Sequence, residues 1–176
     1  MKKVIVSFVT FLIILLLIII QNNFLNDFPL FGVYSNIGIL FICVIGIVAG
    51  EYVGLAVGGA YGLLQDISFG RSLGESLISF LIIGLCAGYL KKMISLDNQL
   101  SLILIIVVLT FLLELIQMLT FSLLYGFDFE VLYFVKVVFL EIIYNIFIGY
   151  VFYKPFMLWG EVINRSRKGY YSLSNS

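Results

Sequence analysis

A chain of 176 residues has room for one domain, and with 62% hydrophobic and 11% charged residues no soluble fold of that size could bury its apolar content. Ten basic and ten acidic residues leave no net charge, but their location matters more than their sum; no nucleic-acid partner is expected. Histidine is absent, which excludes imidazole catalysis and His-ligated metal sites; no metal and no cofactor is expected.

The chain starts with Lys2-Lys3 and an apolar run over 4–20 that imitates a secretory leader. Residues 18–23 (Ile-Ile-Ile-Gln-Asn-Asn) offer no small-residue cleavage site, so the run is expected to remain as an anchor and first span. At 1.5 Å per residue it reaches about 25 Å, just enough to cross. A polar outer loop follows, with Phe24, Phe28, Phe31 and Tyr34 resting on the bilayer surface.

Spans two (about 37–50) and three (about 54–67) are short for a crossing and require bilayer thinning or shelter by neighbouring helices. Glu51-Tyr52 between them reads as a tight turn; the rival is one long helix through Gly50, giving five crossings. Charge decides between these. With six crossings and an inner N-terminus, Lys2, Lys3, Lys91, Lys92, Lys154, Arg165, Arg167 and Lys168 all fall on the cytoplasmic side, leaving Arg71 outside and Lys136 within a span. Five crossings would put Lys91, Lys92 and the tail outside, against the positive-inside rule.

Glycine recurs at four-residue spacing as Gly46, Gly50, Gly54, Gly58 and Gly62, then Gly70 and Gly74, with Asp66 in the missing slot. In a bilayer such a row makes a groove into which another helix can pack backbone on backbone. The groove is expected to bind a partner through Gly50, Gly54, Gly58, Gly62, Asp66 and Gly70, or else to pack the protein's own helices. The turn over 68–72 holds Arg71 close to Asp66 and Glu75, either as a surface ion pair or as a shaped contact surface.

Span four (73–90) ends in Lys91-Lys92, and the longer span five (100–124) is expected to tilt. After the acidic loop over 126–130, span six runs from Val131 to about Phe152, where Lys154-Pro155 is expected to stop the helix. Tyr150, Tyr153 and Trp159 mark the inner interface. Residues 164–176 read as a disordered basic tail, so the chain divides into a transmembrane domain over 1–160 and a tail over 161–176. Cys43 and Cys86 sit in apolar runs as packing residues.

Spans five and six carry polar groups. Glu114 and Gln117 share one helical face, as do Glu141 and Asn145, and Lys136 lies nearby. An ionised group at the bilayer centre costs about 2.5–3.5 kcal/mol, so none of these is expected to face lipid. The expectation is a buried cluster in which Lys136 reaches Glu114 or Glu141. It would act as packing glue, as a docking site for a polar residue of a partner, or as a proton or solute relay. No nucleophile, metal or phosphate-binding motif accompanies it, so the chain is not expected to be an enzyme.

The run GLLQDISFGRSLG over 62–74, preceded by the glycine ladder and followed by an apolar helix with Gly84 and Gly88, resembles the MreD family of rod shape-determining membrane proteins. The chain departs from the family where span two opens: Val33-Tyr34-Ser35-Asn36 stands in place of the usual proline and acidic residue. The resemblance implies an all-α, six-span bundle in the bacterial cytoplasmic membrane with both termini cytoplasmic. It implies a non-enzymatic scaffold of cell-wall elongation, with an MreC-like single-span protein, peptidoglycan-elongation enzymes and membrane lipid as partners. The main alternative is a substrate-capture subunit of a vitamin or small-solute transporter. Against it, the first span has only Ser7 and Thr10 as small residues, not the small-residue motif such subunits use. An enzyme acting on lipid-linked precursors rests on Glu114 and Glu141 alone.

Overall fold

The computed structural model describes residues 2–23, 29, 31–69, 74–91, 99–126 and 131–171. These contain six helices: α1 Lys2–Asn23, α2 Ile37–Ala49, α3 Glu51–Phe69, α4 Glu75–Leu90, α5 Gln99–Tyr125 and α6 Val131–Tyr171. Three contain stretches long and apolar enough to cross a membrane: Lys2–Asn23, Ile103–Leu123 and Leu132–Arg167. The apolar helices α2 and α4 are shorter, at 13 and 16 residues.

The shortest helix is the centre of the molecule. Every residue of α2 except Val48 is buried, and α2 touches all five other helices. A helix apolar on every side needs protein on every side, and ILFICVIGIVA leaves no polar stripe to turn outward. Its length of about 20 Å is therefore tolerable, because its neighbours, not lipid, surround it. Phe41 at its middle meets the Phe156 ring edge-on at 5.2 Å, and Phe156 in turn stacks on Phe152 at 5.8 Å.

Both ends of α2 are defined by local chemistry. Asn36, at the departure from the family pattern, is its N-cap and accepts a hydrogen bond from the Ile39 amide. At the other end the Gly50 amide donates to the Gly46 carbonyl at 2.7 Å. Gly50 itself has φ 98° and ψ 174°, a backbone region that is essentially glycine's alone. The chain reverses there, and α3 returns antiparallel, with Gly58 reaching Ile42 and Tyr61 reaching Gly38. One continuous helix through Gly50 is thus ruled out. The turn is Gly50, and Glu51-Tyr52 already belongs to α3.

The expected stop at Lys154-Pro155 is overturned. α6 continues through Pro155 to Tyr171, 41 residues in all. Proline removes one helical N–H and crowds the preceding turn, but the next turns are held by packing. Phe156 and Ile163 are in the core, and Gly160 lets the Val48 side chain approach α6. The Trp159 indole also donates to the Thr10 hydroxyl of α1 at 3.2 Å. Helix therefore replaces the expected disordered tail up to Tyr171, and runs unbroken across the division placed at 160/161; residues 172–176 lie outside the described residues.

One end of the bundle gathers basic residues. Lys91 Nζ donates to the Val48 carbonyl at 2.6 Å and Arg167 Nη1 to that of Ala49 at 2.7 Å, covering carbonyls that the last turn of α2 leaves open. Lys3 lies at the same end, beside Tyr52 and Arg167.

Candidate functional site

The glycine ladder meets α4, the protein's own next helix. A Cβ on Gly54 would collide with the Gly84 carbonyl oxygen, and one on Gly84 with that of Gly54. A Cβ on Gly58 would strike the Phe80 carbonyl, and one on Gly62 would stand 2.5 Å from that of Ser76. Gly88 presses against Glu51, and Gly46 against Ala87. Backbone lies on backbone along the whole length of α3 and α4, the geometry that small residues permit in lipid. The face expected to receive a foreign helix is already filled, so partner binding through Gly54, Gly58 and Gly62 is corrected to internal packing. Gly50 is not part of that face: it is the α2–α3 turn, with nothing within 4 Å of an added Cβ. Gly70 and Arg71 lie outside the described residues.

Asp66 explains the interruption of the ladder. One turn beyond Gly62, its carboxylate crosses to the start of α4 and accepts from the amides of Gly74 (2.8 Å), Ser76 (2.9 Å) and Leu77 (3.2 Å). The first amides of a helix lack partners within it and carry partial positive charge. Gly74, the N-cap residue, has no side chain to supply an acceptor. The cap comes instead from the neighbouring helix, and Asp66 is buried in making it. Gly74 also adopts φ 114°, which lets the chain enter α4 at this angle. Gly62, Asp66 and Gly74 therefore form one device that closes the α3–α4 hairpin.

The second constellation joins four parts of the chain at the level where α2 begins. Asn145 on α6, fully buried, accepts from the Ser35 hydroxyl (3.2 Å) and the Asn36 amide (2.9 Å) through Oδ1. Its Nδ2 donates to the Thr110 hydroxyl on α5 (3.2 Å) and to Glu141 Oε1 (3.3 Å). All four hydrogen-bonding positions of the amide are thus used by the protein itself. Beside it, Gln21 at the end of α1 donates to the Ser35 carbonyl and accepts from the Ile37 amide. The Glu114 carboxyl of α5 faces that of Glu141 across the α5–α6 contact.

Glu114, Glu141 and Asn145 come together, and Gln117 is half-buried on α5. Lys136 does not join them. It lies on the exposed side of α6, among Leu132, Tyr133, Val135 and Phe139, and makes no ion pair with either glutamate. Helical geometry gives the reason. Lys136 and Glu141 are five residues apart, about 500° of helical rotation, which points them to different faces. Sequence reasoning missed Gln21, Ser35, Asn36 and Thr110. The signal available was an N-cap residue directly before an all-apolar helix.

The family model for the rod shape-determining protein MreD matches residues 1–162. The chain belongs to the MreD family. Its role is therefore in rod shape determination, and its family is one of membrane proteins, in keeping with the three helices long enough to cross. No match to a curated protein or to a solved structure was found. Gly62, Asp66 and Gly74, all within the run that carried the resemblance, form the α3–α4 closure described above, so these residues perform a structural task in this chain.

Proposed function

We propose that the chain is a non-enzymatic scaffold of bacterial cell-wall elongation that crosses the cytoplasmic membrane six times with both termini inside. It seats the single transmembrane helix of an MreC-like partner and so helps to place the peptidoglycan-elongation enzymes. MreD membership supports the setting. The observation that carries the seating is Lys136, a cation on an exposed apolar face of α6 with no carboxylate beside it among the described residues.

A charge facing hydrocarbon is costly, and a lysine near a helix end relieves this by snorkelling towards the interface. A partner helix that brings a carboxylate to Lys136 and apolar side chains to Leu132, Val135 and Phe139 would relieve it further. This seat replaces the glycine groove, which α4 fills.

The test is co-purification from membranes that also hold the MreC-like partner. Lys136→Glu should lose the partner while its thermal unfolding stays that of the wild type. Gly58→Leu should lose folded protein and partner together. Full recovery of partner with a well-folded Lys136→Glu variant refutes this seat.

A further inference from the structure

A groove of about 440 Å³ opens between α1, α3 and the end of α6. Its character changes along its length. At the basic end its walls are Lys3, Ser7, Ser166 and Arg167; deeper in, they are Ile14, Ala56, Val57 and Ala60. From Lys3 to Ile14 the α1 wall runs about 16 Å. Cations and hydroxyls thus stand at one mouth of a slot that is otherwise apolar except for Thr10 part-way along it.

We infer that this groove holds one anionic glycerophospholipid, its phosphate at Lys3 and Arg167 and an acyl chain along α1 and α3. Charge decides the occupant. Arg167 spends one N–H on the Ala49 carbonyl, and a guanidinium has five, so donors remain for phosphate oxygens while the side chain is already held in place. A single chain of methylenes suits a narrow apolar slot between two helices. Small residues on the α3 wall, Ala56 and Ala60, keep the slot open, and Ala56 is exposed in it. A lipid there would fill the gap between α1 and α3 and hold α1 to the bundle. This inference does not depend on the seating of an MreC-like partner.

The protein carries its own reporter. Trp159 is the single tryptophan, and its indole is bonded to Thr10, a groove residue. Full-length protein in detergent micelles would be titrated with phosphatidylglycerol or phosphatidylcholine brominated on one acyl chain, and quenching of Trp159 followed. Dibromo-phosphatidylglycerol should quench saturably at a mole fraction at least threefold below that needed with dibromo-phosphatidylcholine. Arg167→Glu should erase that preference. Ala56→Phe, which fills the slot from α3, should abolish the saturable component, and Ser7→Phe, which fills it from the exposed side of α1, should do the same. Equal quenching by the two lipids in the wild type overturns the inference. So does a saturable component that survives in folded Ala56→Phe and Ser7→Phe proteins, since the quenching lipid would then lie elsewhere.

Discussion

Asp66→Ala removes one side chain and strands three backbone amides at the buried start of α4. Hydrogen bonds to a charged acceptor contribute about 1.5–3 kcal/mol each. The three share a single carboxylate, and deleting it also removes the cost of burying that charge, so the contributions do not simply add. The expected loss is about 3 kcal/mol. Asp66→Asn keeps one acceptor oxygen and places an NH2 group against at least one amide donor, so about half that loss is expected. For a chain of this length about 3 kcal/mol lowers the unfolding midpoint by about 6–12 °C. In a Cys86→Ser background, Cys43, 1% exposed in the middle of α2, reports global unfolding through a thiol-reactive fluorogenic dye in detergent. An Asp66→Ala midpoint within about 2 °C of the wild type would refute the assignment of Asp66 as the cap that closes the α3–α4 hairpin.

Three further outcomes follow from the same contacts. Gly58→Ala should destabilise by about 2 kcal/mol or more, although alanine is the better helix former, because its Cβ meets a backbone carbonyl that cannot step aside; the thiol assay reads it. Gly50→Ala meets no neighbour but must hold φ 98°, and should cost about 1–3 kcal/mol from backbone strain alone. A mutant of the same turn carrying a D-alanine, made by semisynthesis, should recover that loss. Lys136→Leu and Glu114→Gln should have additive effects on unfolding to within about 0.5 kcal/mol; a larger coupling energy would place them in contact.

Much of the architecture was legible in the chain. Apolar run lengths located all six helices, and alternation of charge between their ends favoured a reversal between α2 and α3 over one long helix. The reversal is there, yet at Gly50 and not at Glu51-Tyr52, because charge reports which end a residue belongs to and not which backbone can turn. The overrun of α6 past Pro155 was illegible for a related reason. Proline weakens a helix locally, but Phe156, Gly160 and Ile163 hold the following turns against α2 and its neighbours, and those contacts exist only once the bundle has formed. In the polar cluster, helical spacing correctly put Glu141 and Asn145 on one face. The expected ion pair of Lys136 rested on nearness in sequence alone, and the five-residue offset from Glu141 turns Lys136 to the exposed side of α6 instead.

What the amino-acid sequence determined alone was chemical class: too many apolar residues for water, small residues at intervals that suit close helix contact, and the run over 62–74 that marks the MreD family. Which helix occupies the glycine face was a tertiary decision. A row of missing side chains is equally open to any helix that can bring its backbone near, and here α4 occupies it, with Asp66 tying its start to the end of α3. The same is true of α2, whose uniformly apolar surface reads like any short span until five neighbours surround it.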